Sequence, residues 1–199
     1  MADPLHDRLA AALAKDGRPS SDFDLNPTRT SGPTRKLRPA GVLIAVAADE
    51  TIVLTKRSSR LKHHPGQIAF PGGKVDDADT DVIDAALREA EEEIALPTTS
   101  VEVLGTLPTH ETVTGFSVTP VVGLLRDRIE FVPEAGEVDE VFVAPFAHVT
   151  DPGNFRVEGR MWLGQRRHYY TVPYGPYYIW GATARILRAL ADRMTRDAD

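Results

Sequence analysis

The chain has 199 residues, 42% of them hydrophobic and 26% charged, with a net charge of −6 and an isoelectric point near 5.5. This is an ordinary globular composition, long enough for one domain with a terminal extension, and unlike that of a disordered chain. The acidic balance speaks against a nucleic-acid polymer as partner, and the absence of cysteine excludes disulfides, zinc–thiolate sites and thiol catalysis.

The opening stretch, MADPLHDRLAAALAKDGRP, has neither a basic start nor a sustained apolar core, so no secretory signal is expected. No run approaches the roughly 20 apolar residues that span a bilayer. A cytoplasmic protein without a membrane partner is the expectation. Residues 3–15 read as a helix, with Asp3 as cap, Pro4 in the first turn and Leu5, Leu9 and Leu13 as one apolar stripe. Residues 17–40 hold four prolines and many Ser, Thr, Arg and Asp, and read as a linker or a loop wrapped over the surface. The chain therefore divides into an N-terminal helix and wrapping segment, 1–38, and a compact domain, 39–199.

Within that domain, residues 41–48 form a near-continuous apolar run and predict a buried strand. Asp49 and Glu50 mark a turn, and residues 51–55 return as the second strand of a hairpin. The basic loop KRSSRLKHHPGQ follows. Residues 67–70 predict a short strand entering Pro71-Gly72-Gly73. Residues 81–95 are the strongest helix, with Ile83, Leu87, Ala90 and Ile94 at helical spacing and Pro97 as its stop. Strands are expected at 101–107, 115–125 and 141–146, a further hairpin within 154–172, and an amphipathic helix from Trp180 to Arg196 with Ile186, Leu187 and Leu190 inward. Strands with a central and a terminal helix imply an α/β fold, a mixed sheet between helices.

The central helix carries Glu89, Glu91, Glu92 and Glu93 within five positions. At roughly 100° per residue, Glu89, Glu92 and Glu93 share one arc on the side away from the apolar stripe, and Glu91 falls outside it. Like charges so placed repel, and converging carboxylates suit a hard cation such as magnesium. A solvated acidic face is the plain alternative. The Gly72-Gly73 turn just upstream, where backbone can approach a ligand closely, favours a site.

This segment resembles the Nudix box, the strand–loop–helix motif of hydrolases that cleave a nucleoside diphosphate linked to another moiety. Arg88, Glu89, Ala90, Glu92, Glu93 and Leu96 match the second half of the family pattern, G-x5-E-x7-R-E-U-x-E-E-x-G-U. Gly73 matches the opening glycine with one extra residue in the spacer. The pattern's first Glu falls on Thr80, with Asp79 as a substitute across the insertion, and its last Gly is Ala95. The resemblance implies a Nudix fold. It also implies Mg²⁺ or Mn²⁺ held by Glu89, Glu92 and Glu93 with the Gly72 carbonyl, and Arg88 orienting the carboxylates.

A second likeness narrows the substrate. Arg57, Leu61, His64, Gly66, Gln67, Phe70 and Pro71 stand at offsets similar to those of the coenzyme A pyrophosphatase branch of the family, and residues 173–187 resemble that branch's C-terminal segment. Arg binds phosphate bidentately, and His64 and Gln67 add neutral donors. With Gly73, these are the candidate substrate contacts. The implied reaction is hydrolysis of the coenzyme A pyrophosphate to 3′,5′-ADP and 4′-phosphopantetheine. A dinucleotide or sugar nucleotide is the alternative substrate, and a non-catalytic nucleotide-binding module the alternative class. The general base stays open among Glu89, Glu137, Glu140 and Glu111. Glu89 is preferred as ligand or base, with Arg88 and Glu93 completing the catalytic set and Glu137 a candidate extra acid. Tyr169, Tyr170, Tyr174, Tyr177, Tyr178 and Trp180 read as packing residues. The sequence leaves a monomer or a homodimer open.

Overall fold

A leucine stripe places the first helix, α1 (Pro4–Ala14), against the core, with Leu5, Leu9 and Ala12 buried. The computed structural model describes residues 4–26, 36–162 and 164–195. The Asp3 cap, residues 27–35 of the linker and Arg196 lie outside them.

The wrapping segment is more than a loop: β1 (Ser20–Ser21) joins the sheet. The predicted hairpin is β2 (Arg38–Ala47) and β3 (Thr51–Arg57), joined at Glu50. The next strand is reduced to β4 (Ile68–Ala69), and the Gly-Gly turn itself becomes β5 (Gly72–Lys74). Helix α2 (Val82–Ile94) leads to β6 (Val101–Thr106), a short β7 (His110–Glu111), β8 (Phe116–Leu125) and β9 (Val138–Pro145). One turn of helix, α3 (Phe146–Val149), precedes the second hairpin, β10 (Arg156–Trp162) and β11 (Gln165–Thr171), and α4 (Gly181–Thr195) closes the chain.

Among the described residues the main sheet runs β1-β7-β8-β2-β3-β4, with β5 on β2, β6 on β8 and β9 on β3. It is mixed, because β2 and β8 run parallel while β2 and β3 run antiparallel. Alternation along β2 divides the core. Leu43 and Ala45 meet α2, and Ile44 and Val46 meet the side covered by α1 and α4. The expected sheet between helices is the fold observed.

The buried face of α2 differs from the expected stripe. Ala85, Ala86, Ala90, Glu93 and Ile94 are buried, and Ile83 and Leu87 only half-buried. Small residues win the inner face because the helix lies almost on the backbone of β2. A Cβ on Gly41 would collide with the Val82 carbonyl oxygen. The helix stops before Pro97: Ala95 adopts a left-handed conformation (φ 55°, ψ 34°) and its N–H caps the last turn.

These two sites give opposite expectations. Gly41→Ala forces apart two backbones and is expected to lower unfolding stability by about 1–3 kcal/mol. Ala95→Gly relieves a left-handed alanine and is expected to raise it by up to about 1 kcal/mol. Urea denaturation of the two variants beside the parent protein measures both.

Candidate active site

The strand register sets the site. β5 lies on β2 with Gly41 opposite Gly73 and Val42 opposite Gly72, and this lays the glycine turn along α2. The Gly72 N–H donates to Glu93 Oε2 at 3.1 Å. Gly73 faces the Glu89 carboxylate so closely that any Cβ there would overlap it. Glu89 and Glu93, one helical turn apart, thus meet the turn from the same side.

Arg88 binds the surrounding acids. Its Nε and Nη2 donate to the two Asp79 oxygens at 2.8 and 3.0 Å, and its Nη1 donates to Glu89 Oε1 at 3.2 Å and Glu92 Oε2 at 3.0 Å. The Asp79 side chain is only 2% exposed, and the Asp76 N–H donates to it at 2.7 Å. These donors, Arg88 first, hold the Asp79 pKa down at about 2. Asp79 therefore reaches the motif arginine across the one-residue insertion, while Thr80 donates to Asp84 instead. Asp81 caps the helix by accepting from the Ile83 and Asp84 N–H groups.

The three acids expected on one open face are in three different environments. The Glu93 side chain is buried, contrary to an arc turned away from the core. Burial first, with the charges of Glu89 and Glu137, pushes its pKa up to about 7 against the opposing Gly72 N–H and Arg57. Burial also pushes the Glu89 carboxyl up, opposed by Arg88. Glu92 is 61% exposed and held by Arg88, and Glu91 is exposed. Among the described residues, no three or more His, Asp or Glu side chains form a ready-made metal cluster. Glu89 and Glu92 are both drawn toward Arg88, which partly offsets their mutual repulsion.

The basic loop reaches the same place. Arg57 Nη1 lies 4.0 Å from Glu93 Oε1. Backbone bonds from Gly66 N to Arg57 O and from Arg57 N to Gln67 O, both 3.0 Å, fold the loop back on β3. His64 takes a left-handed conformation, φ 54°. Its pKa is drawn below the ordinary value by desolvation first, then by Arg57 and His63.

Residues 130–137 close the other side: Glu134 N donates to Glu93 O and Ser58 N to Glu137 O, both at 2.8 Å. The charge of Glu137 is thereby felt by both Glu89 and Glu93. Glu140 is turned elsewhere and accepts from the Tyr177 hydroxyl at 2.5 Å. Glu111 sits on β7, on the far side of β8 from β2.

Beside Arg57 on β3, Lys56 helps line a cleft of about 350 Å³ with Glu140, Tyr177, Tyr178 and Trp180. Tyr177 serves packing, stacked on Phe142 at 3.5 Å between ring centres. Tyr178 is 42% exposed. The tightness of the glycine–helix contact and the burial of Glu93 escaped the sequence reading. A glycine in β2 opposite alanines of α2 was the available signal.

A strand, a glycine turn and an acid-bearing helix with a guanidinium hub define a class of phosphate-processing folds, and comparison with known proteins makes it specific. The Nudix domain description matches residues 37–163. A Nudix hydrolase called NudL from Citrobacter koseri, itself uncharacterised, is 43% identical over 173 residues, 86% of this chain and 90% of that one. NudL of an Escherichia coli strain is 42% identical over the same spans. Among solved structures, the NUDIX domain of Shewanella oneidensis NrtR, complexed with ADP ribose, superposes with a TM-score of 0.51. It is 14% identical, covering 86% of this chain and 95% of that one, and so is a likeness of fold. The chain belongs to the Nudix family. Among the described residues, no helix is long and apolar enough to cross a membrane.

The Arg88–Asp79 pair has a defined pH signature. The folded pKa of Asp79 lies below its unfolded value of about 3.9, so the pair's contribution to stability is complete above about pH 4 and fades as pH falls toward 2. Asp79→Asn is expected to melt below the parent protein at pH 6, with the gap narrowing steadily between pH 4 and pH 2. Thermal melts across that range measure it.

Proposed function

We propose that the chain is a divalent-cation-dependent pyrophosphatase that hydrolyses coenzyme A to 3′,5′-ADP and 4′-phosphopantetheine. One observation carries this reading: Arg57, from the stretch resembling the coenzyme A branch, stands 4.0 Å from Glu93 of the acidic helix. Residues that would select the substrate and residues that would act on it thus face each other across the glycine turn.

The donors fit Mg²⁺ or Mn²⁺. Glu89, Glu92, Glu93 and the Gly72 carbonyl supply only oxygen, the donor type these ions prefer. Glu93 is a carboxyl whose charge is costly where it lies, and a divalent ion there would offset that cost. The bare Cα of Gly73 lets the Glu89 carboxylate come up against the glycine turn. A bound ion supplies neutralisation of phosphate charge and a lower pKa for the attacking water.

The chain's own residues do the rest. Arg57 donates to a phosphate oxygen of the diphosphate, and His64 and Gln67 add neutral donors from the same loop. Glu89 would take the proton from the attacking water, with Glu137 as the second acid within electrostatic reach. Arg88, fixed by Asp79, keeps Glu89 and Glu92 oriented. The cleft beyond Lys56 receives the part of the substrate that extends past the diphosphate; its volume of about 350 Å³ is that of a small-ligand site.

Incubation with Mg²⁺ or Mn²⁺ and a panel of coenzyme A, NADH, ADP-ribose and a dinucleoside polyphosphate is expected to show coenzyme A as the best substrate. A preference for NADH or ADP-ribose overturns the substrate. Glu92→Gln and Glu93→Gln are each expected to lower turnover by about 10²-fold or more while the protein stays folded. Full activity in both removes the proposed cation site.

A further inference from the structure

Among the described residues the second hairpin leaves one edge open, and the two edges of that hairpin differ. On β11, the His168 N–H donates to Asn26 Oδ1 at 2.8 Å and the His168 carbonyl accepts from Asn26 Nδ2 at 2.9 Å. Thr171 bridges to Trp180. That edge is sealed. On the other side, β10 pairs only with β11 among the described residues.

The seal reveals which groups of β10 point outward. His168 spends its N–H and carbonyl on Asn26, so it is not in a hydrogen-bonded pair with its cross-strand neighbour, Gly159. In an antiparallel ladder such pairs alternate. The backbone groups of Val157, Gly159 and Met161 therefore face away from the hairpin, ready to pair with another strand. Val157 and Met161 are 53% and 66% exposed.

We infer that β10 is a homodimer interface, pairing antiparallel with β10 of a second copy about a two-fold axis at Gly159. The strand reads Arg-Val-Glu-Gly-Arg-Met-Trp, and folded about its central glycine it complements itself. Gly159 exchanges backbone hydrogen bonds with Gly159 of the second copy, where two glycines bring no side-chain clash. Val157 meets Met161 of the second copy in the flanking hydrogen-bonded pairs. Glu158 meets Arg160 of the second copy in the intervening pairs, which are the ones that bring side chains closest. A two-fold axis repeats each contact, as an isologous interface requires.

Charged side chains, lysine above all, are one way an edge is protected from pairing with another chain, and charges of one sign would serve that end best. This one alternates charge of opposite sign about a glycine and keeps two bare apolar side chains outward. The pairing also fixes Glu158, which accepts from the Tyr178 hydroxyl at 2.6 Å at the rim of the cleft. One strand pair is a small contact, so a dimer that dissociates in the micromolar range is expected.

Sedimentation of the full chain from low micromolar to submillimolar concentration is expected to show a monomer–dimer equilibrium. Glu158→Arg and Arg160→Glu each place like charges at both symmetric pairs, and each alone is expected to weaken dimerisation about tenfold or more. Mixing the two variants restores opposite charges at both pairs, so a heterodimer of parent-like affinity is expected. Because Glu158 also holds Tyr178, Val157→Lys serves as the independent variant: it sets a lysine against Met161 of the second copy and is expected to weaken the dimer similarly. A parent protein that stays monomeric throughout, a dimer indifferent to all three substitutions, or charge variants that fail to associate on mixing would each overturn the interface.

Discussion

The contact on which the rest of the site depends is between backbones. Helix α2 lies so close to β2 and β5 that a Cβ at Gly41 would meet the Val82 carbonyl and one at Gly73 the Glu89 carboxylate, while at Gly72 the β2 backbone itself leaves no room. Close approach lets the Gly72 N–H reach Glu93 and draws that carboxyl out of water. Had β2 carried a bulky residue at position 41, α2 would ride higher, Glu93 would sit in solvent at an ordinary pKa, and the turn would lose its acid neighbours. The alanines at 85, 86 and 90 are the other half of this constraint. They bury almost no apolar area for a helix of this length, and what they provide is proximity.

Proximity brings an electrostatic difficulty that Arg88 partly resolves. Glu89, Glu92, Glu93 and Glu137 crowd one region, and burial raises the cost of the charges on Glu89 and Glu93. Arg88 spans Asp79, Glu89 and Glu92, while Arg57 reaches toward Glu93. The most strongly neutralised acid, Asp79, sits on Arg88 away from the glycine turn. Glu93, whose pKa burial pushes up most, sits against the turn. The acid whose charge is most costly therefore lies where the glycine turn brings its backbone closest to the helix.

Much of this was legible in the residues and some was not. Periodicity located α2, α4, both hairpins and the strand at 116–125 to within a few residues, because long apolar alternation leaves few choices. The motif spacing named Arg88, Glu89, Glu93 and Gly73 as neighbours. What periodicity missed depends on contacts between distant segments. Counting only large apolar residues put the core stripe of α2 through Ile83 and Leu87, so the burial of Glu93 was invisible. The two-residue strands β1 and β7 carry no pattern long enough to read. Backbone bonds from Ser20 N to Thr109 O and from Asp22 N to Glu111 O hold them together, and Ser20 Oγ meets the buried His110 ring at 2.9 Å, with Asp22 on the ring's other side. The helix end was read to within one residue, but the left-handed cap itself was not, because it is an alanine where glycine would have announced it.

The N-terminal segment then takes on a role that its proline-rich composition disguised. Ser20 and Asp22 bind His110 of the main sheet, Asp22 also faces Arg167 of β11 at 3.6 Å, and Asn26 pairs with the His168 backbone. A stretch of seven residues, 20–26, thus ties the main sheet to a hairpin that shares no strand with it. Asp22 is half of that tie: burial alone would raise its pKa, but His110, the Val113 N–H and Arg167 together keep it lowered and charged. Since the hairpin carries Glu158, which holds Tyr178 at the cleft, the path from the N-terminal segment to the cleft rim runs entirely through hydrogen-bonded contacts. Loosening Asp22 would remove one of the two links from this segment to the hairpin, leaving that of Asn26, without touching the acidic helix. The region that would carry out hydrolysis and the region that would accommodate the rest of the substrate are thus held by separate sets of residues, and the sheet between them is their common support.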